Sequence, residues 1–122
     1  MNDSEIIDPQ AQARLKEWGG AKLLTQMIRL FLENAPNRMD QVRKGLSENN
    51  VREAERGVHS LKSSAANVGA MRVSRLAAQM EDLAARGELA SVAGHLRNLE
   101  TEFAAAQQRL ADILEASPEP EA

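Results

Sequence analysis

A chain of 122 residues without cysteine is long enough to bury one core unaided by disulfides, and nothing in it demands an oxidising compartment. A net charge of −3 makes no case for nucleic acid, and there is neither an apolar run long enough to cross a membrane nor a basic-apolar leader, so a cytoplasmic location is expected. Abundant Leu, Ala, Glu and Arg beside only 2% aromatic residues favour an all-α protein.

Residues 1–7 read as a loose lead-in, from which Ile6 or Ile7 could pack. Asp8 before Pro9 is a helix opening: a side-chain cap, then a proline whose missing N–H costs nothing in the first turn. The short lid helix that follows carries Leu15 and Trp18 three residues apart and ends at Gly19-Gly20. Trp18 is expected to plug one end of the core. The next helix spans 21–34, with Leu23, Leu24, Met27, Leu30 and Phe31 as its apolar stripe. Pro36 lacks a donor and disfavours helical geometry at Ala35, so a kink or short break is expected there. Helix resumes near Asn37 with Met39, Val42 and Leu46 inward, and Ser47-Glu48-Asn49 turns the chain.

Asn50, with Glu53 three residues on, has capping-box spacing and opens the central helix, which Gly69 is placed to stop. On a helical wheel Ala54, Gly57, Leu61, Ser64, Ala65 and Val68 gather on one side, and His59 stands roughly opposite, on the polar face. A neutral imidazole offers a lone pair near pH 7 and can attack an activated phosphorus centre where access is open. Ser63 and Ala66 on the same face are small, and Lys62 one turn away can help hold phosphoryl oxygens. The helix supplies no carboxylate as an obvious orienter of His59, no Ser-His-acid arrangement follows from spacing, and two histidines without cysteine fall short of a zinc site. The pattern suits a phosphoryl-accepting histidine.

A further helix over 71–86 repeats Val73, Leu76, Met80 and Leu83, ending at Gly87. The last, over 88–115, carries Val92, Leu96, Leu99, Phe103, Ala106, Leu110 and Ile113 at alternating steps of four and three. Short loops between amphipathic helices make an antiparallel four-helix bundle over 8–115, with the lid helix at its start, and 116–122 is expected to be a disordered tail. Residues 38–72 hold seven basic against four acidic side chains, whereas 81–122 hold nine acidic against three basic, so His59 sits in the basic part of an acidic chain. The second histidine, His95, has no nearby cation or motif and is assigned a structural or surface place.

The run His59-Ser60-Leu61-Lys62-Ser63-Ser64-Ala65-Ala66-Asn67-Val68-Gly69-Ala70 resembles the signature of histidine-containing phosphotransfer (HPt) domains, matching at His59, Leu61, Lys62, Ser64, Ala65, Gly69 and Ala70. Ser63 departs, since the family usually has glycine there. The resemblance implies a phosphocarrier without its own ATP site. In that reading His59 is the phosphoacceptor, Lys62 steadies the phosphoryl group and Ser63 is the adjacent small residue. Arg52, Glu55, Arg56 and Ala66 then fall on the face where a partner docks. It further implies receiver domains of a hybrid kinase or response regulator as partners. Any Mg²⁺ comes from the receiver rather than from a cofactor of this chain, which is expected to be a monomer. Two alternatives stay open: a non-catalytic helical adaptor, and the excised phosphoacceptor module of a chemotaxis-type kinase.

Overall fold

A computed structural model describes residues 6–116, which form four helices and, among the described residues, no strand. They are α1 (Pro9–Ser47), α2 (Val51–Asn67), α3 (Met71–Ala85) and α4 (Leu89–Ala116). Each packs on its chain neighbour and α4 closes back on α1, giving the antiparallel four-helix bundle that the loop lengths require. The expected tail beyond Ala116, and the lead-in before Ile6, lie outside the described residues.

The core is a stack of aliphatic side chains around Ile28, Leu61, Met80, Leu99 and Leu110, all fully buried. Phe31 of α1 meets Phe103 of α4 with ring centroids 5.8 Å apart, a tilted aromatic pair that ties the first helix to the last. Outside this seam Arg43 of α1 reaches Glu100 of α4 at 2.6 Å.

The caps follow the sequence. Asp8 accepts from the Gln10 N–H, Pro9 stands at the first position, and Asn50 accepts from the Glu53 N–H at 3.2 Å. The lid helix is residues 9–18, set off from the rest of α1 by non-helical backbone at Gly19 and Gly20. It lies over the α2–α3 turn: the Asp8 N–H donates to the Gly69 carbonyl at 2.7 Å, while Ile7, Ala11 and Leu15 are buried. Ile7 therefore belongs to the packed fold and not to a loose lead-in. Gly69 has φ +83, and a Cβ there would stand 2.6 Å from the Asp8 carbonyl oxygen. Only glycine meets both demands.

Three expectations on α1 are corrected. Trp18 plugs nothing: it is 73% exposed, because Ala11 and Leu15 already fill the lid's inward face. Of the kink or short break expected at Pro36, the break is absent: the non-helical residues of α1 are Gly19 and Gly20 alone. Ala35 and Met39 on either side of Pro36 are held in the core, and the proline itself faces solvent, where water can satisfy the carbonyl it leaves free. Leu30 is 50% exposed, because the buried row runs Leu24, Ile28, Phe31, Ala35, Met39 and Val42 and Leu30 lies on its flank.

Candidate functional site

Helix α2 places His59 by its periodicity. Ala54, Gly57, Val58, Leu61 and Ala65 take the buried face, so the imidazole at 59 is left outward with 60% of its side chain exposed. The small residues matter on the inward side too. A Cβ at Gly57 would lie 2.6 Å from Val42 Cγ2 and 2.9 Å from the Arg38 carbonyl oxygen, so glycine lets α1 press against α2 close to His59.

The ring has a partner on α3. Its Nδ1 lies 2.5 Å from Glu81 Oε2, and the other oxygen of the same carboxylate, Oε1, accepts from Lys62 Nζ at 2.5 Å. Glu81 comes from α3, and inspection of α2 alone misses it. A signal for it does exist in the sequence. An antiparallel hairpin brings residues equidistant from its turn side by side, and His59 and Glu81 are each eleven residues from Ala70.

Burial works to raise the pKa of Glu81, but hydrogen bonds from Lys62 and His59, together with their charges, outweigh it and leave the carboxyl below its ordinary 4.5. An ionised carboxylate only accepts, so His59 Nδ1 carries the proton and donates. In the neutral ring it is then Nε2 that holds the lone pair, on a side chain that is exposed. That is the tautomer a nucleophilic imidazole needs, and the hydrogen bond to Glu81 favours it.

The other predicted residues fall in three places. Glu55 and Arg56 line, with His59 and Ser60, an open groove of about 520 Å³ that Arg38 and Gln41 of α1 and Glu81 of α3 complete. Ser63, exposed, and Ala66, half-buried, lie on the other side of His59 along α2 and leave the approach low. Arg52 is exposed further toward the start of the helix and does not line the groove. Ser64 turns back on its own helix, donating to the Ser60 carbonyl at 2.9 Å, and Gly69 and Ala70 serve the turn beneath the lid. His95 donates from Nδ1 to the Ser91 carbonyl at 2.8 Å, as a structural histidine would. Among the described residues no three His, Cys, Asp or Glu side chains are placed to hold a metal ion, and no helix is long and apolar enough to cross a membrane.

The family model described as Hpt domain matches residues 26–116. Among solved structures, histidine-containing phosphotransfer protein B (HptB) from Pseudomonas aeruginosa superposes with a TM-score of 0.85 at 21% identity, covering 91% of this chain and 96% of that one. The HPT domain of a sensor hybrid histidine kinase from Shewanella gives 0.81 at 14% identity, covering 96% and 100%. The phosphotransfer protein ZmHP2 from maize gives 0.81 at 24%, covering 94% and 87%. No curated protein matches the chain. At these identities the structural likeness establishes the fold, and the family match covers a stretch that includes His59.

Proposed function

Because the chain belongs to the Hpt domain family, we propose that it is a phosphorelay intermediate that carries a phosphoryl group on His59 between receiver-domain aspartates in two-component signalling. The observation that supports this reading is the hydrogen bond of His59 Nδ1 to Glu81, which leaves Nε2 as the ring nitrogen available to react on a side chain that is 60% exposed.

In the transfer, the Nε2 lone pair forms a bond to phosphorus while the P–O bond to the receiver's aspartyl carboxylate breaks, its electron pair leaving on that oxygen. The Nδ1 proton stays where it is. The ring becomes cationic as the N–P bond forms, and the Glu81 carboxylate at 2.5 Å is already in place to meet that charge. Lys62 has three N–H donors, of which Glu81 takes one at 2.5 Å, so it retains donors for phosphoryl oxygens one turn from His59. Return transfer to a second aspartate is the same step reversed. The Mg²⁺ that neutralises phosphoryl charge would be supplied by the receiver. Ser63 and Ala66 keep the approach low, while Arg52, Glu55 and Arg56 contribute to the docking face.

Incubation with receivers charged by acetyl phosphate tests this directly. Acid-labile phosphate should appear on His59 as it leaves the receiver. Receiver binding without any label reaching the chain would make it an adaptor instead.

A further inference from the structure

Lys62 is the cation that the sequence motif offers to a phosphoryl group, yet its charge is already answered by Glu81 at 2.5 Å. Two other cations face the groove beside His59. Arg56 stands on α2 one turn before the histidine, and Arg38 reaches in from α1. Arg38 owes its position to Gly57, since a side chain there would push away the α1 backbone at the Arg38 carbonyl. Other arginines of the bundle are spent on carboxylates: Arg43 on Asp40 and Glu100, Arg72 on Glu102, Arg86 on Asp82. Arg56 and Arg38 form no ion pair among the described residues, and Arg38 makes only a long 3.4 Å hydrogen bond to Gln41.

The acidic groups lining the same groove are Glu55 and Glu81. Glu81 is matched by Lys62, which leaves two guanidinium groups against one carboxylate beside an exposed imidazole. A guanidinium is charged at any working pH and presents a planar fork of donors that fits phosphate oxygens. The groove, at about 520 Å³, has room for a phosphoryl group and its water.

We propose that Arg38 and Arg56 form an anion subsite for the oxygens of the phosphoryl group on His59, with Lys62 and Glu81 serving chiefly to hold the imidazole. The assignment rests on His59 being the phosphoacceptor. It divides the labour at the site: one cation–carboxylate pair orients the nucleophile, and two unpaired arginines from neighbouring helices receive what it carries.

The test removes the partner from the reaction. With phosphoramidate as donor, the N–P bond to His59 forms as the donor's P–N bond breaks, its electron pair leaving on ammonia. Phosphorus-31 NMR then follows the rate of labelling and the lifetime of the phosphohistidine in wild type, Arg38→Gln, Arg56→Gln, the double variant and the corresponding Arg→Lys pair, with helicity checked by circular dichroism. Each charge-assisted bond to an exposed oxygen should be worth roughly a three- to tenfold change, so the double variant should label more slowly or lose its label sooner by about tenfold or more. The lysine pair should recover part of that. Unchanged chemical labelling and lifetime beside slowed transfer from a receiver would overturn the subsite and make the arginines a steering surface. No change in either reaction would overturn it too. Wild-type protein that never labels on His59 would instead overturn the phosphoacceptor reading on which the subsite stands.

Discussion

Glu81→Gln is the sharpest perturbation of the site, because it keeps the shape of the side chain and removes the charge. In the native site one carboxylate accepts from both His59 Nδ1 and Lys62 Nζ, each at 2.5 Å. A glutamine oxygen can still accept one of these bonds, but as a neutral acceptor, and its NH₂ cannot accept the other. Charge-assisted hydrogen bonds contribute about 1.5–3 kcal/mol against roughly 0.5–1.5 for neutral ones, so the nucleophile's clamp loses on the order of 1–1.5 kcal/mol. At about 1.4 kcal/mol per decade that is roughly a five- to tenfold loss in phosphorylation rate. The 60% exposure of His59 puts the expectation at the lower end. The assay is labelling of His59 by phosphoramidate at pH 8, where a carboxyl held below 4.5 is ionised in the wild type. A depressed carboxylate stabilises the fold above its unfolded value, and that contribution is lost as pH falls through the lowered folded value. On acidification below 4.5 the wild type should therefore lose more stability than Glu81→Gln. Equal labelling rates at pH 8 would refute the claim that Glu81 sets the tautomer and orientation of His59.

Lys62→Ala should slow labelling or shorten phosphohistidine lifetime by about tenfold at most, since its charge is shared with Glu81; an unchanged rate and lifetime would demote it to surface. Ser63→Trp and Ala66→Trp should block transfer from a receiver while phosphoramidate still labels His59, and wild-type receiver rates in both would put docking elsewhere. Gly69→Ala places a side chain at φ +83 and 2.6 Å from the Asp8 carbonyl oxygen, so it should cost about 1–3 kcal/mol and lower the melting temperature by several degrees, without abolishing labelling of His59; an unshifted thermal transition would contradict the structural role given to that glycine.

The bundle was legible because its signals are local. Asn50 with Glu53, Asp8 with Pro9, and the glycines at 69 and 87 act within a few residues of themselves, and the apolar rows of α2, α3 and α4 follow one period. The outward position of His59 follows from the same period. Three features of α1 were not legible because tertiary packing overrides local rules there. The lid leaves Trp18 no core to enter, helix α1 runs through Pro36 on the strength of Ala35 and Met39, and Leu30 falls just off the buried row. Glu81 was missed for a different reason. Its partnership with His59 crosses between helices, and it emerges only when α2 and α3 are folded about Ala70. Arg38 is more remote still, since its place beside His59 depends on the close approach that Gly57 permits between α1 and α2.

The central claim is that this chain carries a phosphoryl group on one nitrogen of one residue. The most direct measurement charges a receiver with acetyl phosphate, mixes it with wild type, His59→Gln and His95→Gln, and locates acid-labile phosphate by mass spectrometry under neutral conditions. Wild type and His95→Gln should carry the label on His59 Nε2, and His59→Gln should stay folded and unlabelled, because its position faces solvent and its loss removes no core contact. Label persisting in His59→Gln, or vanishing only in His95→Gln, would contradict the account.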